Sequence, residues 1–255
     1  MALAITHAIV TRPIHQGNNL CQCLRQNNFT ADHIPSIIIE PIQQNENNKT
    51  IQIMLAQADS AIVTSANAVP ALLAHWSKIK THPQTIIAMG PSTQQALDKA
   101  GIAVTHMPKH YSSEGVLALP ICQSLENKKI VILSGEGGKK TLSEAMQKAG
   151  AQVNKIALYR RLCPPPLTAE MLNPFIDQPT LIIFTSFDSL SNWHAMVPDA
   201  LHPWLLEQQT LVISASLQNQ AKMLGFSKAP WLADNATDQC VLQCMQHHLS
   251  LRKAS

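Results

Sequence analysis

The chain has 255 residues, enough for two domains of ordinary size; 45% are apolar, which supplies real cores, and 14% are charged. A net charge of +3, with no run of Lys or Arg longer than a pair, offers no field for nucleic acid, and no apolar stretch nears the about 18 residues of a membrane span. Six cysteines without metal spacing read as reduced, mostly apolar filler, and eleven histidines form no ligand motif, so no metal is expected.

The N-terminal MALAITHAIVTRP lacks the basic start, long apolar run and cleavage site of a signal peptide and reads as a first strand, which makes a cytoplasmic location the expectation. A helical pattern follows, GNNLCQCLRQNNF, ending at Asn28, a residue that tolerates the left-handed turn after a helix. Residues 34–42, IPSIIIEPI, are extended. Next come the apolar run AIV with Thr64, Ser65 and Asn67 behind it, then TIIAM with Gly90, Pro91, Ser92 and Thr93, and then the stretch YSSEGVLAL. The run KIVIL leads into Ser134-Gly135-Glu136-Gly137-Gly138 and a helical KKTLSEAMQKAGA, followed by the extended IALYRRLC and three prolines, Pro164 to Pro166. TLIIF precedes Thr185-Ser186, TLVIS precedes Ser214-Ala215-Ser216, and NATDQCVLQ opens a last helix.

These segments occur twice in order. Residues 8–13 match 130–135, 61–69 match 182–190, 86–102 match 210–226 and 111–119 match 235–243, at offsets of 122, 121, 124 and 124. Asn28 falls opposite Gly150. A nearly constant offset argues for an internal duplication. Short, unalternating apolar runs separated by helices fit parallel strands buried on both faces. The predicted fold class is therefore α/β, with two flavodoxin-like doubly wound parallel-sheet lobes. The extended pair at 34–42 and 156–163 reads as a two-stranded connector about which the lobes could hinge. Lobe one is predicted as 1–34 with 168–255, lobe two as 41–158, and the connectors as 35–40 and 159–167.

In such sheets ligands bind beyond the carboxyl ends of the strands, so the working site is expected in the cleft between the lobes. The residues there are polar and most precede a helix, where hydroxyls and unpaired N–H groups suit anions. A Thr-Ser pair in that place also serves as a plain N-cap, and Gly135 to Gly138 also serve as a tight turn. The glycines match neither a Walker A loop nor GxGxxG. No nucleophile–base–acid set is visible. Tyr159, one of two tyrosines, stands in the connector, where a core role is the alternative.

The ordered set VTRP, TSANAV, AMGPSTQQALDKAGI, SSEGVL, ILSGEGGKKTL with LYRR, and IFTS resembles the uroporphyrinogen-III synthase family, and the ending VIS…LGF…LADNATD resembles its enterobacterial-like branch. The resemblance implies a cofactor-free, usually monomeric lyase of haem biosynthesis. It would close hydroxymethylbilane, a linear tetrapyrrole with eight carboxylates, to uroporphyrinogen III, losing water and inverting ring D through an azafulvene cation and a spiro intermediate. It assigns Tyr159 the hydrogen bond to the leaving hydroxyl. Substrate contacts are expected at Arg12, at Thr64, Ser65 and Asn67, at Gly90, Pro91, Ser92 and Thr93, at Ser134, Gly135, Gly137, Gly138 and Lys139, and at Thr185, Ser186 and Ser214. The preceding pathway enzyme is a candidate transient partner; neither nucleic acid nor membrane is expected. Two positions depart from the family. Lys139 stands where an arginine is common, keeping charge without bidentate geometry, and Leu217 stands where a threonine would donate. The competing readings are a two-lobed anion-binding or sensor module without chemistry, and a nucleotide-dependent enzyme, which would want a phosphate loop.

Overall fold

The computed structural model describes residues 5, 7–42 and 48–253. Residues 1–4 and 6 of the predicted first strand, 43–47 of predicted lobe two and 254–255 of predicted lobe one lie outside them. In chain order the elements are β1 (His7–Val10), α1 (Ile14–Gln26), β2 (Thr30–His33), β3 (Ile38–Pro41), α2 (Asn48–Gln57), β4 (Ser60–Val63), α3 (Val69–Trp76), β5 (Thr85–Ala88), α4 (Pro91–Lys99) and α5 (Ser113–Leu117). They continue with β6 (Lys129–Gly135), α6 (Thr141–Lys148), β7 (Gln152–Leu162), α7 (Ala169–Ile176), β8 (Thr180–Ile183), α8 (Phe187–Met196), α9 (His202–Leu206), β9 (Gln209–Val212), α10 (Ala215–Met223), β10 (Trp231–Leu232) and α11 (Asp238–Lys253). The chain divides into two compact units, Met1–Ile38 with Leu162–Ser255, and Ile39–Arg161.

The first unit holds a five-stranded sheet in the order β10-β9-β8-β1-β2, with parallel pairings throughout. Counted from β1 this is the flavodoxin order 2-1-3-4-5. Each strand is four residues or fewer with both faces covered, because alternate side chains enter different cores. Ala8, Val10, Leu181 and Ile183 pack with Leu20 and Leu24 of α1 and Val241 and Met245 of α11. Ile9, Ile182 and Val212 pack with Leu172 of α7, Trp193 of α8, Leu205 of α9 and Leu217 of α10.

The second unit repeats that order. Its sheet runs β3-β7-β6-β4-β5, and His106 bridges in parallel to Ile87 where a fifth strand would stand. β6 and β7 take the first and second places and β4 and β5 the third and fourth, so the chain enters this unit at its third strand. α2, α3 and α4 cover Ala61, Val63, Val131 and Leu133 on one face. α5 and α6 cover Ile62, Ile130 and Ile132 on the other. The helix ends match as well: after α1 and α6 the chain turns through Asn28 (φ 64°) and Gly150 (φ 87°), residues for which left-handed backbone costs little.

The stretch 156–163, read from the sequence as connector, is for the most part the second half of an eleven-residue strand of the second sheet. Its counterpart at 30–41 is broken into β2 and β3. The pairing with β1 runs past Pro35, through 3.0 Å bonds from Ile34 N–H to the Val10 carbonyl and from Ser36 N–H to the Thr11 carbonyl, and β3 then lies beside β7 rather than in the sheet of β2. An Arg160–Glu40 ion pair and a 3.0 Å bond from Ile42 N–H to the Leu158 carbonyl tie that edge.

Candidate functional site

In each unit the helices following the two central strands pack on opposite faces of the sheet. The chain therefore diverges at the carboxyl ends, between β4 and β6 in the second unit and between β1 and β8 in the first. These are topological switch points, where open α/β sheets leave a crevice. A threonine stitches each one. Thr64 donates its hydroxyl to the Leu133 carbonyl at 3.1 Å, and Thr11 to the Ile183 carbonyl at 2.7 Å.

At the switch point of the second unit, Ser65 caps the short 3-10 turn Ala66–Ala68 by accepting the Asn67 N–H at 3.2 Å. A capping serine still has its own proton to donate. Across from it, β6 ends at Gly135, which is held against Tyr159: a Cβ on Gly135 would stand 2.7 Å from the tyrosine Cζ. Tyr159 is 1% exposed and sits in the core of this unit. Among the described residues its hydroxyl makes no hydrogen bond, and it lies against Gly135, where a Cβ would stand 2.9 Å from it. Glu136 donates its N–H to the Tyr159 carbonyl at 2.8 Å. Gly137 then turns through φ 70° with open space on its Cβ side. Lys139 and Lys140 are exposed, and α6 starts at Lys140 without a side-chain cap, so its first-turn N–H groups are not covered by their own residue.

One strand over, Gly90 begins α4. Pro91 and Ser92 are exposed and Gly90 offers no capping side chain. Thr93, by contrast, is 3% exposed and faces the core, so it presents nothing to a ligand. Ser134 also departs from expectation. It is buried, and its hydroxyl is spent on the Gly135 carbonyl at 3.1 Å.

In the first unit Ser186 caps α8 in a reciprocal box with Ser189 (3.1 and 3.2 Å), beside a half-buried Thr185. Ser214 caps α10 through the Leu217 N–H at 3.3 Å. Leu217 itself fills the core, which is what its apolar side chain is suited to. Arg12 is corrected most clearly. It is 4% exposed, and its guanidinium binds Asp238 at 2.5 Å and the Ala236 carbonyl at 2.8 Å, so it ties β1 to the start of α11 instead of meeting a ligand. Only the fold could show this, because Arg12 and Asp238 stand 226 residues apart.

Among the described residues no acid–base dyad stands at these loops, and no group of His, Cys, Asp or Glu is arranged to hold a metal ion. Burial raises the thiols of Cys21, Cys23 and Cys122, and pushes Cys244 up to about 11. Glu114 in the first turn of α5 is held below its ordinary value by its own backbone N–H and by the Ser112 hydroxyl. Polar contacts missed by the sequence reading are His33 on the Arg12 carbonyl (2.8 Å) and Lys155 on the Gly138 and Lys139 carbonyls. Their signal was the repeat itself, since they occupy the same place in the two copies.

Comparison with known proteins agrees with this architecture. The family model "Uroporphyrinogen-III synthase HemD" matches residues 19–239. The chain is 27% identical to the uroporphyrinogen-III synthase of Escherichia coli K12 over 249 residues, 93% of this chain and 99% of the relative. It is 30% identical to that of Salmonella typhimurium LT2 over 162 residues, 62% of this chain and 65% of the relative. In fold it resembles the uroporphyrinogen-III synthetase of Helicobacter pylori 26695 (TM-score 0.62, 15% identity, 97% of this chain and 100% of that one). It also resembles a mutant of the Thermus thermophilus enzyme (TM-score 0.59, 15% identity, 95% and 99%). No helix of the described residues is long and apolar enough to cross a membrane. With a family model spanning most of its length and switch points built alike in both units, the chain belongs to the uroporphyrinogen-III synthase family.

Proposed function

We propose that this chain is a uroporphyrinogen-III synthase, a cyclising hydro-lyase that closes hydroxymethylbilane with loss of water and inversion of ring D. The observation that carries the reading is the pairing of many anion donors with no acid–base dyad among the described residues. Each unit offers capped helix starts with hydroxyl protons to spare at its switch point, and the glycine loop adds open backbone. Eight carboxylates need donors of that kind. A hydroxymethylpyrrole loses its hydroxyl readily, so what it requires is positioning and a setting that tolerates a transient cation.

In this reading Ser65, Asn67, Gly90, Ser92, Gly137 and Lys139 receive carboxylates in one unit and Thr185, Ser186 and Ser214 in the other, while Thr64, whose hydroxyl and N–H both go to the Leu133 carbonyl, Pro91 and Gly138 shape the loops that present them. Gly135 matters because it lets the Tyr159 hydroxyl reach the loop. That hydroxyl donates to the departing oxygen as the C–O bond breaks, so that it leaves as water. The bilane carries the positive charge until the substituted carbon of ring D attacks. The bond from ring D to its old neighbour in the spiro intermediate then breaks and re-forms at the other ring-D position, and the proton ring D loses on closure returns to the tyrosine. Free thiols and a modest net charge agree with a cytoplasmic monomer that takes its substrate from the preceding enzyme.

The test is to supply freshly made hydroxymethylbilane, oxidise the products and separate the isomers. Isomer III above the spontaneous background is expected. Isomer I alone, with a measurable affinity for the octacarboxylate, would instead favour a binding module.

A further inference from the structure

We propose that His33 and Lys155 are matched positioning residues: Lys155 pins the loop after β6 so that its amides face a bound carboxylate, and His33 pins the equivalent loop after β1 and so sets how the first turn of α1 opens. The proposal rests on the reading above and assigns the two side chains a part in it.

The two residues occupy one register position. Val10 of β1 pairs with His33 of β2, and Ile132 of β6 pairs with Lys155 of β7. Both pairs are related by the 122-residue offset of the repeat. From that position each side chain reaches the carboxyl end of the neighbouring strand and binds backbone oxygen. His33 Nε2 lies 2.8 Å from the Arg12 carbonyl. The Lys155 ammonium donates to the Gly138 carbonyl and, at 3.1 Å, to the Lys139 carbonyl. A carbonyl only accepts, so His33 Nε2 carries a proton. Neither residue forms an ion pair with a carboxylate among the described residues.

Peptide geometry gives the contact its consequence. In a trans peptide the C=O and the following N–H point in opposite directions, and no cis bond is present among the described residues. With the carbonyls of Gly138 and Lys139 drawn toward one ammonium on β7, the N–H groups of Lys139 and Lys140 are turned away from it. Two successive amides directed alike at the start of α6 form the concavity that anions occupy. In the first unit the pinned carbonyl precedes Pro13, which has no N–H, so the contact sets the direction in which α1 starts and its first-turn amides open.

The packing around His33 is built for the ring. Gly17 lies inside α1, where glycine costs stability, and a Cβ there would stand 1.9 Å from His33 Nε2. The Asn18 side-chain amide lies 3.0 Å from Nδ1, along the other edge of the ring.

The test compares Lys155→Met, Lys155→Arg, His33→Ala, Gly17→Ala and the Gly17→Ala/His33→Ala pair in the full-length protein. Uroporphyrin III serves as the stable octacarboxylate probe in calorimetry, beside the isomer assay. Lys155→Met is expected to weaken binding and raise KM about tenfold, the size of one lost charged hydrogen bond, with kcat within about threefold and Arg restoring most of the loss. In the ligand-free protein the amide resonances of Lys139 and Lys140 should move in Lys155→Met, which a purely direct contact with ligand would not cause. Gly17→Ala expels the ring, so it and His33→Ala should weaken binding equally and non-additively. Unmoved resonances, or wild-type affinity in Lys155→Met, would overturn the proposal. The amide shifts read the pinning whatever the reaction is, so a wild-type protein that makes only isomer I would fail the functional reading separately.

Discussion

Tyr159 shows how one side chain serves both packing and chemistry. Its ring fills the core of the second unit, and its hydroxyl end rests on the bare Cα of Gly135, where any larger residue would collide with it. Removing the hydroxyl therefore leaves the packing intact. Tyr159→Phe is expected to keep its fold and its affinity for uroporphyrin III while slowing isomer III formation by about 10²-fold, the low end for loss of a positioned proton donor. Single-turnover kinetics with fresh bilane would check it; an unchanged rate removes the tyrosine from the mechanism.

The elements divide the predicted contact residues into two sets. Serines at helix starts, Ser65, Ser186 and Ser214, accept from their own helices and keep a proton for a ligand. Arg12, Ser134 and Thr93 are instead buried, and of these Arg12 binds two elements to each other. Arg12 joins the end of β1 to the start of α11, where the Asp238 carboxylate also favours the positive end of the helix dipole. Arg12→Met should therefore cost about 2 kcal/mol of stability, the worth of hydrogen bonds to a charged group, lower the urea midpoint, and leave the affinity of the folded protein for the octacarboxylate within about threefold. A large loss of affinity at unchanged stability would return Arg12 to the site.

Across the whole molecule, stability should depend on pH through His75, which is buried, and His194, which is half-buried. His75 is held below its ordinary value by burial and secondarily by Lys78, and His194 by burial and secondarily by His202. Both stay neutral in the folded protein at a pH where the unfolded chain binds protons. The unfolded state then carries more protons, so stability rises with pH, and it is lost as pH falls through the ordinary histidine value of 6.5. Glu114 and Glu170 are held low in the folded state, so their contribution persists above the ordinary value of 4.5 and is lost only in more acid solution. A melting temperature lower by about 3 °C at pH 5.5 than at pH 7.5 is expected, with His75→Leu flattening part of the slope. A flat profile in the parent protein would contradict the burial of these rings.

Much of this protein is written locally. Unalternating apolar runs specify strands buried on both faces, Asn28 and Gly150 end equivalent helices, and the repeat offset relates two sheets of one strand order, because each depends on neighbours in sequence. The hydroxyls and glycines of the loops were legible for the same reason, as turn and cap chemistry. Tertiary structure alone decided which of them face outward. Burial of Arg12, Ser134 and Thr93, the single strand that carries Tyr159, and the reach of His33 and Lys155 to carbonyls beside them all depend on how separate strands and helices align. Local chemistry specifies an element and its ends, whereas the partner of a long polar side chain is chosen by register and packing between segments as far as 226 residues apart.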